Sequence, residues 1–96
     1  MYAQIVRAQV QPDKVDEAIR IFNSAVRPAA QEQKGFKDAY FLVDREANRI
    51  IGFSLWETEA DLSALATSGF YQDQIAKFVA VFAAPPEREV YEVAPA

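Results

Sequence analysis

The chain has 96 residues, 51% of them apolar and 25% charged, with 14 Asp and Glu against 10 Lys and Arg for a net charge of −4. That length bounds one compact domain, and cations scattered along the chain rather than gathered on one stripe exclude nucleic acid and an anionic membrane as expected partners. The absence of Cys and His removes disulfides, thiolate nucleophiles, near-neutral imidazole bases, Ser–His–Asp relays and histidine-ligated haem or metal.

The acidic residues show no calcium-loop spacing, so no metal is expected. Met1-Tyr2-Ala3-Gln4 lacks the basic flank and apolar stretch of a signal peptide, and no apolar run approaches the roughly 18 residues of a membrane helix. A cytoplasmic location is the resulting expectation.

In chain order, residues 2–10 alternate, with Val6, Ala8 and Val10 on one face and Ile5, Arg7 and Gln9 on the other, which predicts a strand ended by Pro12-Asp13. Val15, Ala18, Ile19, Phe22 and Val26 then follow helical spacing, predicting an amphipathic helix from 13 to about 32. Pro28 should kink that helix or split off its last turn, and Lys34-Gly35 should end it. Residues 36–44 place Ala39, Phe41 and Val43 opposite Asp38, Tyr40 and Leu42. They should pair with 49–57 in a hairpin turned at Arg45-Glu46-Ala47-Asn48, where Asn48 tolerates positive φ.

Thr58, with Asp61 three residues on, offers an N-cap for a short helix. After Ser68-Gly69, a stripe of Tyr71, Ile75, Phe78, Val79 and Phe82 predicts a second helical segment, stopped by Pro85-Pro86. Residues 87–93 alternate well enough for a last strand.

Strand, helix, strand, strand, helix, strand is the split, ferredoxin-like α+β arrangement, a four-stranded antiparallel sheet with its helices on one face. The helices are expected over Val6, Ala8, Val10, Ala39, Phe41, Val43, Phe53 and Leu55. The other face would then carry Ile5, Arg7, Gln9, Asp38, Tyr40, Leu42, Gly52, Ser54 and Trp56, too apolar for water and too polar for a plain core. A chain this small hides only about 60–65% of its unfolded surface on folding, so that face calls for a second subunit, a ligand, or both. The lone Trp56, at a strand end and a helix mouth, is the sharpest functional clue.

From the Val10-Gln11-Pro12-Asp13-Lys14 turn through Gln33-Lys34-Gly35-Phe36 and Leu55-Trp56-Glu57-Thr58-Glu59-Ala60 to Ser68-Gly69-Phe70-Tyr71, the chain resembles the antibiotic biosynthesis monooxygenase domain family over nearly its whole length. The resemblance implies a homodimeric α+β barrel in which two sheets pack face to face and each subunit encloses a small-molecule pocket. It also implies oxygenation of a polycyclic phenol or quinol with no cofactor, neither metal nor flavin, through direct reaction of an electron-rich substrate anion with O₂. Many members carry a His in the helix after the Trp and another in a Ser-Pro-His-Phe type turn. Leu65 and Phe70 occupy the matching positions here, which speaks against haem degradation and against a His acid or base.

A hydroxyl or guanidinium could still orient or deprotonate an acidic substrate, which makes Arg7, Tyr40 and Tyr71 the catalytic candidates. Trp56 and Leu42 would supply an apolar wall, and Gln9 and Ser54 would orient a ligand oxygen. Each has a plainer role to set beside that one. Trp56 can be a core aromatic of the dimer, Tyr71 a structural member of its helical stripe, and Arg7 an ion-pair partner of Asp38, Glu57 or a second subunit. Gln9 and Ser54 can satisfy each other across strands. Three readings therefore stand: a cofactor-independent monooxygenase acting on a small aromatic ligand, a non-catalytic module binding the same ligand, and a structural dimer without a cavity.

Overall fold

The computed structural model describes residues 1–95. Its elements run β1 (Tyr2–Gln9), α1 (Val15–Ile21), a π-helical segment (Phe22–Val26), α2 (Arg27–Gln31), β2 (Phe36–Asp44), β3 (Arg49–Trp56), α3 (Glu59–Thr67), α4 (Phe70–Ala76) and β4 (Glu87–Glu92). The strands form one antiparallel sheet in the order β2-β3-β1-β4. This is the ferredoxin-like topology that the order of elements predicts.

The breakers act where the sequence places them. Asp13 turns the chain out of β1 with φ of 66°, and Asn48 closes the β2–β3 hairpin with φ of 54°. Thr58, in extended conformation, accepts the Asp61 amide at 3.1 Å and caps α3. Pro28 falls in the first turn of α2. Its ring lacks an N–H and crowds the carbonyl four residues back, and the wide π turn immediately upstream re-spaces those carbonyls instead of breaking the helix. Ser24 donates its hydroxyl to Arg20 O at 2.7 Å within that turn.

The second helical segment is shorter than its apolar stripe predicts. α4 ends at Ala76, and residues 77–82 descend through single turns, with Val79 74% exposed and Val81 fully buried. The end of β1 captures this stretch. Val10 bridges Phe82, the Gln11 backbone N–H donates to Val81 O at 2.9 Å, and the Gln11 side-chain amide donates to Ala80 O and Phe82 O at 3.2 Å each. A continued helix would forfeit those bonds and bury Val79 in place of Val81.

The faces of β3 are the reverse of those expected. Tyr2, Gln4, Val6 and Ala8 oppose Trp56, Ser54, Gly52 and Ile50, whereas Ala3, Ile5 and Arg7 oppose Leu55, Phe53 and Ile51. Directly opposed residues share a face, so Gly52, Ser54 and Trp56 lie under the helices. Phe53 and Leu55 lie on the open face with Ile5, Arg7, Tyr40 and Leu42. Both rows of β3 are apolar enough to be buried, so alternation alone leaves their direction unspecified, and the register with β1 decides it.

Two clusters fill the space between sheet and helices. One joins Ala8, Val10, Ala39 and Ile50 to Val15, Ala18, Phe22, Phe78 and Val81. A ladder of stacked rings crosses it, Phe22 on Phe41 at 4.7 Å, Phe41 on Phe78 at 6.2 Å and Phe78 on Phe82 at 5.7 Å. The other joins Trp56 to Leu62 and Leu65, with Phe36 meeting the indole edge-on at 5.6 Å.

Candidate functional site

A cavity of about 100 Å³ opens where these two clusters fail to meet, between the covered face of the sheet and the helices. It is smaller than the roughly 150 Å³ apolar cavities that admit benzene, and it is open on one side, so a fused-ring ligand would fill it with one ring and extend through the mouth. Phe22, Phe41 and Phe78 wall one side, and Trp56, Leu65 and Tyr71 the other. Its floor includes Gly52, where an added Cβ would meet no atom within 4 Å. The glycine therefore leaves a depression in the middle of the sheet. Leu65 and Phe70 both line the space and keep its wall apolar.

Few polar groups reach this cavity, and each keeps a hydrogen to donate. Gln4 Oε1 accepts from Arg88 Nε at 2.7 Å, and because a guanidinium can only donate, the Gln4 amide nitrogen is left as a donor. Gln74 Oε1 likewise accepts from Lys77 Nζ at 2.7 Å, leaving its NH₂ free to donate. Ser54 Oγ accepts the Trp56 indole N–H at 2.9 Å and keeps its own hydrogen. Burial raises the pKa of the Tyr71 phenol, with the nearby Arg88 charge pulling the other way, so the hydroxyl remains protonated at neutral pH. A cavity whose polar groups are set to donate is complementary to a ligand oxygen that carries negative charge.

Of the seven residues singled out in the sequence, three meet at this cavity, three line a groove elsewhere and one stands on the open face. Trp56, 1% exposed, and Ser54 and Tyr71 meet at this cavity. Arg7, Gln9 and Leu42 line a groove at one end of the sheet, beside Asp44, Arg49 and Glu87. Arg7 pairs with Glu89 at 2.6 Å, not with Asp38 or Glu57, because β4 lies beside β1 and brings its own carboxylate. Gln9 donates to Ala47 O at 2.6 Å and cannot reach Ser54 through the sheet. Tyr40, 49% exposed on the open face, donates to Asp38 Oδ2 at 2.6 Å, a bond that raises the tyrosine pKa and lowers the carboxyl's. The reversed phase of β3 is what separates the two sets.

Sequence reasoning missed Gln4, Gln74 and Arg88. Gln4 could have been found as the polar member of the row that continues through Val6 and Ala8. Arg88 could not, since its contact with Gln4 spans 84 positions. Among the described residues no cluster of three His, Cys, Asp or Glu is placed to hold a metal, and no helix is long and apolar enough to cross a membrane.

A family model described as antibiotic biosynthesis monooxygenase matches residues 1–80. An uncharacterized protein of Mycobacterium tuberculosis is 40% identical over 58 residues, which is 60% of this chain. The matched stretch spans only 25% of that relative's length. Among solved structures, a Nitrosomonas europaea protein of unknown function superposes with a TM-score of 0.79 at 21% identity, covering 99% of this chain and 90% of its own. A Streptomyces coelicolor monooxygenase in complex with the ligand nanaomycin D superposes with a TM-score of 0.74 at 16% identity, covering 99% of this chain and 88% of its own. At those identities the two structures speak to the fold alone.

Proposed function

The chain belongs to the antibiotic biosynthesis monooxygenase family, and from that membership we propose that it oxygenates a small aromatic phenol or quinol, without a cofactor, in the cavity over Gly52. The observation that carries the reading is the match between apolar aromatic walls and polar groups that each keep a hydrogen to donate. Such walls take a flat ring, and donors concentrated at one part of it stabilise an oxyanion.

An anthrone illustrates the chemistry. Water takes up a ring CH₂ proton as the anthrone ionises before entry, and the donors of Ser54, Tyr71 and Gln4 hold the oxygen of the resulting enolate. The enolate passes one electron to O₂, the resulting carbon radical and superoxide combine to form the C–O bond, and the protonated hydroperoxide loses water to leave a carbonyl. In sum CH₂ and O₂ become C=O and H₂O. The residues contribute orientation, exclusion of bulk water and stabilisation of the anion. A protonated Tyr71 acts here as a donor and not as a base.

The proposed assembly is a homodimer joined through the open sheet face. Ile5, Ile51, Phe53 and Leu55 form an apolar strip there, flanked by exposed Tyr40 and Leu42. The neighbouring charges already pair internally, as in Arg7–Glu89, so a symmetric copy can cover the strip without stranding an ion. In this arrangement Arg7, Tyr40, Gln9 and Leu42 serve the interface and its margin.

The test is oxygen uptake with an anthrone. Equimolar O₂ consumption and quinone formation above the uncatalysed rate support the proposal. A thermal shift by the same anthrone without turnover would select the non-catalytic binding module instead.

A further inference from the structure

Arg88 occupies a position that the oxygenation chemistry above does not use. It lies on the edge strand β4 directly opposite Val6, a residue that lines the cavity. Two other lining residues hold its head. Gln4 Oε1 accepts from Nε at 2.7 Å, and the Tyr71 ring lies under Cζ at 5.2 Å. These contacts use one edge and one face of the planar guanidinium and leave the terminal nitrogens as a fork of donors.

Among the described residues no carboxylate comes within 4.0 Å of that fork, whereas Arg7, Arg45 and Arg49 each have one. Its neighbours along β4, Glu87 and Glu89, alternate to the other face, where Glu89 pairs with Arg7. Arg88 is exposed and meets the cavity through Gln4 and Tyr71 rather than lining it, which sets a cation with a free fork beside the lining, suited to an anion attached to the ligand.

We propose that Arg88 is a specificity-determining residue that selects aromatic ligands bearing a carboxylate at the ring edge facing β4. The inference rests on the reading of the cavity as the substrate site. The ring enters between the aromatic walls while the carboxylate remains at the rim and takes two parallel N–H···O bonds from the fork. Gln4 and Tyr71 act as positioning residues, since they hold the guanidinium at the rim before the ligand arrives and so reduce the entropy lost on binding.

Calorimetric titration of the full chain with naphthoate and with the uncharged, nearly isosteric naphthamide tests this. The wild-type protein should bind naphthoate at least about tenfold more tightly, a margin that shrinks as salt is raised. Arg88→Gln should remove that preference by weakening naphthoate binding far more than naphthamide binding, and Arg88→Lys should restore part of it, because an ammonium keeps the charge and loses the fork. Equal wild-type affinity for both probes, or a preference that survives in Arg88→Gln, would overturn the role of Arg88 and leave the cavity standing as a ligand site. Binding of neither probe would overturn both.

Discussion

Trp56 donates its indole N–H to Ser54 Oγ at 2.9 Å, a bond between two residues that point the same way from one strand into the space beneath the helices. The bond fixes the ring against Leu62 and Leu65 and holds the Ser54 hydrogen available to a ligand. It ties the rigidity of the cavity wall to the polarity of its floor.

Ser54→Ala leaves that indole N–H without an acceptor in a buried setting, at an expected cost of about 1–2 kcal/mol, whereas Ser54→Thr keeps an acceptor and should cost less. Trp56 is the single tryptophan of the chain, so its fluorescence during urea unfolding reports the change directly. An unchanged midpoint in Ser54→Ala would show that another group satisfies the indole.

Gly35 and Gly69 separate two kinds of glycine requirement. Both adopt the left-handed region, with φ of 82° and 85°, so alanine at either should cost about 1 kcal/mol from backbone strain alone. A Cβ at Gly69 meets open space, whereas one at Gly35 would overlap the Asp61 carboxylate. Gly35→Ala should therefore be the more destabilising of the two in thermal unfolding. Equal losses would mean that Asp61 swings aside freely.

Tyr71 should leave its mark on alkaline stability. Burial raises its pKa in the folded chain, so folding favours the protonated phenol. The stability this contributes is complete below the ordinary phenol value of about 10 and is lost as pH rises from there through the raised folded value. Tyr71→Phe should flatten that alkaline decline in melting temperature. Some slope should persist, because Tyr40 and Tyr91, bonded to Asp38 and Glu89, also have raised values. An identical decline in the variant would remove Tyr71 from this account.

Phe53→Asp places a carboxylate in the middle of the open apolar face. The wild-type chain should sediment as a dimer and the variant as a folded monomer, since an unpaired charge buried in an interface costs several kcal/mol. A wild-type monomer would remove the proposed interface.

The order of elements was legible because Pro12, Gly35, Asn48 and Gly69 stand at real boundaries, whereas Pro85 lies well past the end of α4. The direction of β3 was not, because Ile51, Phe53 and Leu55 read as buried whichever way they face, and only pairing with β1 orients them. Phe78 and Phe82 keep a four-residue spacing although the chain has left the helix, so periodicity extended α4 past Ala76. Trp56, Ser54 and Tyr71, singled out in the sequence, line the candidate cavity, although Trp56 and Ser54 were expected on the uncovered face. Arg88, brought to Gln4 and Tyr71 by strand pairing between the two ends of the chain, was not legible.

In the proposed function the ligand binds and reacts in the space over Gly52. Gly52 is free of positive φ and open above its Cβ position, so Gly52→Val should fold with equal or slightly higher stability, up to about 1 kcal/mol. Its side chain would then occupy the floor of the cavity. The decisive measurement is oxygen uptake with an anthrone by the wild-type and Gly52→Val proteins, compared at equal folded concentration. The wild type should turn over and the folded variant should not, whereas turnover by Gly52→Val at the wild-type rate would place the reaction elsewhere.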